Sequence, residues 1–342
     1  MNAPRFIIIT HEWRPFHGGA AVYCEELAAA LRRAGGTVDV WSPHRPGSLR
    51  LRHLLPFAWQ IWRRRADLTR CPVLLGSIGA HWIFMWLRPA CPRLFSLLHG
   101  TELLHGGARL KRYLPRARQI FVPSAFTRSL IPAAFPVVVA PPAASSAATR
   151  PVAVTARPAG PLRILTLARL HPRKGQLDVA RALATLQADV IYQIGGTGDP
   201  AILREVEQTC RAGGVAFEYL GVIPSERLAA TYAQCDIFAM TSRSLPRSVE
   251  GFGISYLEAG WHGKPVVGYR TGGVAEAVRD QETGLLVDEG DLPALAQALA
   301  QLIRDPALRH RLGAAGRDSA QQFSWDKTAQ IFQTHCATPA SK

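Results

Sequence analysis

The sequence predicts an α/β protein made of two doubly wound parallel-sheet domains. Short apolar runs alternate with amphipathic helical patterns along nearly the whole chain, and strands separated by helices pair in parallel through right-handed crossovers. That rhythm stops between Pro141 and Pro161, where Ala, Ser, Pro and Thr dominate, and then restarts. The chain has 342 residues, more than one ordinary core encloses, and its 48% apolar residues are enough for two.

In chain order, Arg5–Thr10 reads as the first strand. A loop at Trp13–Gly19 follows, then an amphipathic helix from about Ala20 to Arg33 and a second strand at Thr37–Trp41. Arg93–Leu98, Gln119–Pro123 and Val137–Ala140 read as further buried strands. Past the linker, strands are expected at Leu162–Ala168, Val190–Ile194, Ala216–Leu220, Ile237–Met240, Pro265–Gly268 and Gly284–Val287. Helical patterns fill the gaps at Leu177–Leu186, Ala201–Ala212, Glu226–Ala233, Ile254–His262 and Leu292–Ile303. The tail Asp318–Cys336 reads as helical, with Ser324 as its candidate cap. The expected division is a Rossmann-like domain over 1–145, a linker over 146–161, a second Rossmann-like domain over 162–318 and a terminal segment over 319–342. Ligands of such sheets sit at the carboxyl ends of the strands, so a cleft between the domains is the expected site.

Charge is unevenly spread. Residues 1–150 carry 20 Lys and Arg against 6 Asp and Glu, whereas residues 151–342 carry 20 against 19. An excess confined to one half points to an anionic partner for that half. Within it, Leu49–Leu68 mixes Leu, Phe, Ile and Trp with Arg50, Arg52, Arg63, Arg64 and Arg65. That composition suits either a segment resting on an anionic membrane or a core helix with a basic end, and Pro56 is expected to interrupt it. Six cysteines are scattered without C-x-x-C spacing, which fits a reducing compartment and argues against both a disulfide framework and a zinc site. The first residues lack a signal-peptide pattern, and the nearest approach to a membrane span, Leu74–Leu87, stops at Arg88-Pro89. A cytoplasmic protein is expected.

The chemistry concentrates in Glu250-Gly251-Phe252-Gly253-Ile254-Ser255-Tyr256-Leu257-Glu258. A glycine-bracketed turn opening a helix can bare backbone N–H groups to a phosphate. Glu250 and Glu258, eight residues apart, can accept bonds from sugar hydroxyls, although either alone reads better as an incidental surface carboxylate on a capped helix. Phosphate and sugar side by side imply a nucleotide-sugar. After the strand Leu162–Ala168, Arg169 and Lys174 are delivered to a carboxyl end, where they can neutralise a diphosphate or simply form a solvated basic loop. Gly196 lies in a glycine-rich turn after the next strand, and Val222 lies past another, where backbone can meet a base edge. In the first half, Gly18 and Gly19 precede a helix, either to admit a phosphate or to satisfy a positive φ. His99 ends the strand Arg93–Leu98, where it is either structural or a partner of the sugar or acceptor.

These residues resemble glycosyltransferase family 4, retaining enzymes of the GT-B fold, most closely over Thr241–Asp291. The E-x7-E signature falls on Glu250 and Glu258, the donor-diphosphate cations on Arg169 and Lys174, the N-terminal glycine loop on Gly18 and Gly19, and the first-domain histidine on His99. The resemblance implies transfer from a nucleotide-sugar with retention. Glu250 would contact the sugar, Glu258 the ribose, and Gly251, Phe252, Gly253 and Ile254 would form the backbone turn. The terminal helix would cross back onto the first domain. No cofactor or metal is implied, and there is no Asp-x-Asp triplet. The wording VEGFGISYLEA looks most like mannosyltransferases, which favours GDP-mannose over a UDP-sugar, with a glycolipid or polysaccharide as acceptor. The alternatives are a GT-B epimerase or phosphorylase, or a silent sugar-nucleotide or nucleic-acid binder. Aromatic–basic stacking platforms are absent outside Leu49–Leu68, so nucleic acid is not an expected partner.

Overall fold

The computed structural model describes residues 5–13, 18–43, 50–152 and 160–337, the side chains of 105–109, 111 and 337 apart. Leu49 of the basic segment, 153–159 of the expected linker and 338–342 of the tail lie outside the described residues. The chain divides into two units, residues 1–142 with 324–342, and residues 143–323.

The first unit runs β1 (Arg5–Ile9), α1 (Gly19–Arg33), β2 (Thr37–Trp41), α2 (Leu51–Arg63), β3 (Val73–Leu75), α3 (Ile78–Leu87), β4 (Leu94–Leu97), α4 (Thr101–Tyr113), β5 (Gln119–Val122), α5 (Ala125–Ser129) and β6 (Val137–Val139). Its six strands are all parallel in the order β2-β1-β3-β4-β5-β6. Helices cover both faces of such a sheet, so its inner strands read as continuous apolar runs rather than alternating ones. Ile7, Ile8 and Ile9 are accordingly fully buried.

The second unit runs β7 (Leu162–Leu167), α6 (Gln176–Ala184), β8 (Val190–Gly195), α7 (Pro200–Ala212), β9 (Ala216–Gly221), α8 (Ser225–Gln234), β10 (Ile237–Met240), α9 (Ile254–Trp261), β11 (Val266–Tyr269), α10 (Val274–Ala277), β12 (Gly284–Val287), α11 (Leu292–Arg304) and α12 (Pro306–Gln322). Its strands are parallel in the order β12-β11-β10-β7-β8-β9. One apolar layer packs Tyr192, Val179, Leu183, Leu299 and Leu302, and the opposite layer packs Phe238, Tyr256, Leu257 and Tyr232. Each such side chain removed from water contributes about 1.5–3 kcal/mol. Asp199, Asp291 and Asp305 cap α7, α11 and α12, each accepting a backbone N–H at 2.9 Å, which stabilises each helix by about 1 kcal/mol.

The tail is not one helix. α12 ends at Gln322, and α13 (Trp325–Ala337) starts afresh behind Ser324, whose Oγ accepts from Asp326 N at 3.2 Å. α13 packs in the first unit. Phe332 stacks on Phe121 with centroids 3.9 Å apart, Trp325 meets Tyr23 edge-on, and Asp326 pairs with Arg33 at 2.7 Å.

One further expectation needs correcting. Pro56 does not interrupt its segment, because α2 runs through it. The bond that Pro56 cannot make would have ended on the carbonyl of Arg52; both residues are exposed, so water can substitute. The apolar run Leu74–Leu87 is not one element but the end of β3 and all of α3, parted at Gly76-Ser77. Its uniform hydropathy hides the change of period.

Candidate active site

A doubly wound sheet binds ligands where its winding reverses. In the second sheet the reversal lies between β7 and β10, since β8 and β9 extend one way and β11 and β12 the other. The loops leaving these two strands are tied together. Arg243 N donates to the Arg173 carbonyl at 2.6 Å, Thr241 Oγ1 donates to the Gly175 carbonyl at 2.7 Å, and Arg243 Nε reaches Asp178 at 2.6 Å. Gly175 is required there: its φ is +67°, and a Cβ would stand 2.1 Å from the Thr241 carbonyl oxygen.

Glu250 stands at this reversal, and its Oε2 receives three donors. Lys174 Nζ lies at 2.5 Å, Arg173 Nη1 at 2.7 Å and Ser242 Oγ at 2.8 Å. Burial alone would raise this carboxyl. The Arg173 and Lys174 charges, with the bonds from Lys174 and Ser242, instead hold it well below the usual carboxylate range. Burial pulls the Lys174 ammonium down to about 8 against the opposing pull of Glu250, with Arg173 adding to the fall. At neutral pH the cluster therefore holds a carboxylate and two cations, a net positive site.

The next residues build a turn and a helix start. Gly253 has φ +96°, and a Cβ on it would meet the Tyr256 ring at 2.4 Å. Gly251 and Phe252 are buried beneath, Phe252 edge-on to Phe323 at 5.6 Å. α9 opens at Ile254 with no side-chain cap among the described residues; Tyr256 N donates to the Gly253 carbonyl at 3.1 Å, which leaves the N–H groups of Ile254 and Ser255 for an anion. Glu258, one turn further, does not join the Glu250 cluster. Its Oε1 takes the Ser145 hydroxyl at 2.5 Å and its Oε2 the Tyr232 hydroxyl at 2.7 Å. Burial and this carboxylate raise the Tyr232 phenol, so it remains a donor.

Lys174 and Glu250, both singled out from the sequence, are thus in direct contact. Arg169 is exposed after β7, its carbonyl held by Gln176 Nε2 at 2.8 Å. Gly196 follows β8 and its carbonyl accepts from the Tyr219 hydroxyl at 2.7 Å; Val222, past β9, is 51% exposed. Arg173, Ser242, Tyr232 and Ser145 were not found by sequence reasoning. Only Arg173 carried a signal, its place in the basic loop beside Lys174.

In the first unit the winding reverses between β1 and β3. Gly18 is extended (φ −157°), and a Cβ on Gly19 would meet nothing within 4 Å. Neither glycine is needed for a positive φ, and no side chain among the described residues caps the start of α1. His99 follows β4, its Nε2 3.3 Å from the Gly76 carbonyl and its ring edge-on to Tyr23 at 5.4 Å. Burial lowers its pKa against the opposing effects of Glu12 and the Gly76 carbonyl. The reversal itself holds His11 and Ser77, with Nδ1 and Oγ 2.7 Å apart. His81 lies one turn into α3 with Nδ1 2.8 Å from the Ser77 carbonyl, and its Nε2 is buried without a hydrogen bond among the described residues. Burial brings His11 and His81 each to about 4, and His81 adds to the lowering at His11.

Residues 152–319 match the family described as Glycosyl transferases group 1. A GDP-mannose-dependent alpha-(1-6)-phosphatidylinositol monomannoside mannosyltransferase of Mycobacterium tuberculosis is 33% identical over 334 residues, 95% of this chain and 76% of that protein. Its counterpart in Mycolicibacterium smegmatis is 39% identical over 170 residues, 47% of this chain and 44% of that protein. Among solved structures, sucrose-phosphate synthase from Thermosynechococcus elongatus superposes with a TM-score of 0.82 at 23% identity, over 97% of this chain and 98% of that one.

Proposed function

The chain belongs to the group 1 glycosyl transferases and has the GT-B fold, and from that premise we propose that it moves a mannosyl residue from GDP-mannose to a glycolipid acceptor, with retention at the anomeric carbon. The observation that carries this reading is the meeting of Lys174 and Glu250 at the reversal between β7 and β10, beside the open start of α9. Lys174 and Arg169 neutralise the diphosphate, and the α9 N–H groups hold it. Every hydrogen bond to the Glu250 carboxylate among the described residues ends on Oε2, and Oε1 is the atom offered to a sugar hydroxyl. Glu258 takes the ribose, sharing its oxygens with Ser145 and Tyr232. In the transfer the anomeric carbon–phosphate oxygen bond breaks, the acceptor oxygen bonds to the same face, and the acceptor proton passes to the departing phosphate. The second unit takes the donor and the first the acceptor, where His99 and the glycines at Gly18 and Gly19 serve. No metal takes part, the cations supplying its charge, so EDTA should leave turnover unchanged.

The relatives' names favour a lipid acceptor, and the first unit has a face suited to one. Leu51, Leu55, Trp59 and Trp62 recur along α2 and are 46–69% exposed; Trp82 and Trp86 add 36% and 69% on α3, which packs against α2. Arg63 lies over the Trp59 ring at 4.7 Å and Arg65 over Trp62 at 4.4 Å. Indole and guanidinium together suit the headgroup region of an anionic bilayer. Among the described residues no helix is long and apolar enough to cross a membrane. On this reading the enzyme works as a peripheral protein on the cytoplasmic membrane face.

A panel of GDP-, UDP- and ADP-sugars read by thermal shift tests the donor. GDP-mannose should raise the melting temperature most, since a ligand that binds only the native state stabilises it. The absence of a shift with every nucleotide-sugar at millimolar concentration would overturn the reading.

A further inference from the structure

Three donors crowd one oxygen of Glu250, more than its two lone pairs serve at full strength. The three are not equally fixed. Ser242 is fully buried at the end of β10. Arg173 is 8% exposed in the short 3-10 turn Pro172–Lys174; its N–H bonds His171 Nδ1 at 3.1 Å, and its carbonyl takes Arg243 N. The Arg173 guanidinium is a planar fork on a backbone held at both its N–H and its carbonyl. Lys174 carries its charge on a flexible stem, and among the described residues its Nζ bonds only Glu250. Burial and the Arg173 charge already work against that ammonium.

We propose that Arg173 is a positioning residue: it holds the Glu250 carboxylate ionised and in place, and so lets Lys174 leave Glu250 for the donor diphosphate. The inference rests on the donor assignment above. Without Arg173, a departing lysine would abandon a buried carboxylate to a single hydroxyl donor, which is costly. With it, the lysine exchanges one anion for a stronger one while Oε1 of Glu250 stays aimed at the sugar.

The test is a double-mutant cycle on the full chain, with GDP affinity measured by calorimetry between about pH 5 and 8. Arg173→Gln should weaken GDP about tenfold at pH 7.5, and Arg173→Lys should stay within about threefold of wild type, since charge is what holds the carboxylate. The deficit of Arg173→Gln relative to wild type should shrink as pH falls, because Glu250 then takes up a proton and releases the lysine. In a Lys174→Gln background, Arg173→Gln should change nothing. An equal loss in that background would make Arg173 a direct phosphate ligand or a merely structural residue and overturn the proposal, as would a pH-independent deficit. Arg173→Met, which keeps the buried stem, replaces Arg173→Gln if the latter fails to fold, with the same outcomes. Wild type that binds neither GDP nor UDP would instead strike the donor assignment, a result separable from additivity in the cycle.

Discussion

In the second unit the reversal of the sheet gathers Arg173, Lys174 and Ser242 around an ionised Glu250. In the first unit the corresponding reversal gathers His11 and Ser77, with His81 behind them, and burial keeps both imidazoles uncharged at neutral pH. The bulk charge runs the other way: the first half holds nearly all of the chain's excess of +15, and the second is almost balanced. Net charge therefore does not locate an anion site. The second unit concentrates a few partnered charges where strands end, whereas the first spends its arginines on exposed helix surface. One arrangement suits a diphosphate and the other suits a neutral hydroxyl acceptor carried by an anionic surface.

The largest expected effect breaks the charged side of that contrast. Lys174→Ala should leave the melting temperature within a few degrees of wild type and reduce transfer by about 10³-fold, on the order of 4 kcal/mol of transition-state stabilisation. Turnover near wild type would remove the diphosphate from this loop. Glu250→Gln should cost about 100-fold in kcat and also change the acid behaviour. A carboxyl held below its unfolded value of 4.5 contributes stability that is present above that value and is lost as pH falls through the folded one. The variant should lack this loss below about pH 4, which a calorimetric acid titration can read.

Much of this was legible in the sequence, for physical reasons that also mark the limit. Strands covered on both faces are apolar throughout, so Ile237–Met240 is read at its observed bounds; the edge strands Thr37–Trp41 and Gly284–Val287 are also read at theirs. β3 was missed because three residues fused to an apolar helix show no period of their own. The pairing of Lys174 with Glu250 follows from two loops leaving adjacent strands. The partners of Glu258 could not be read, since Ser145 is 113 residues away and Tyr232 26, with no local spacing between them. Arg173 was passed over because residues adjacent in a basic loop look interchangeable until their side-chain directions are known.

A middle-sized effect probes the neutral side. The unfolded chain binds protons at His11 and His81 near 6.5 and the folded one only near 4, so stability is constant above that window and falls as pH drops through it. The loss is on the order of 3 kcal/mol for each histidine. Seven of the eight tryptophans lie in the first unit, so intrinsic fluorescence reports it. His81→Phe, which removes the unbonded Nε2, should shift its acid midpoint downward. An unchanged midpoint would mean that the imidazoles are hydrated rather than sealed.

The smallest change in stability gives the sharpest test of where the first unit's charge acts. Exposed side chains contribute little to folding, so a combined Trp59→Ser, Trp62→Ser and Trp86→Ser variant should melt within about 1 kcal/mol of wild type. It should also bind GDP-mannose unchanged, because these side chains belong to the first unit and the proposed donor groups to the second. On vesicles that contain about 30% anionic lipid it should lose most of its flotation, while wild type binds them and leaves neutral phosphatidylcholine vesicles free. Raising salt should weaken wild-type binding only in part, since the arginines are screened and the indoles are not. Complete release by salt would reduce the face to its charges and make the tryptophans incidental, and undiminished flotation of the triple variant would do the same.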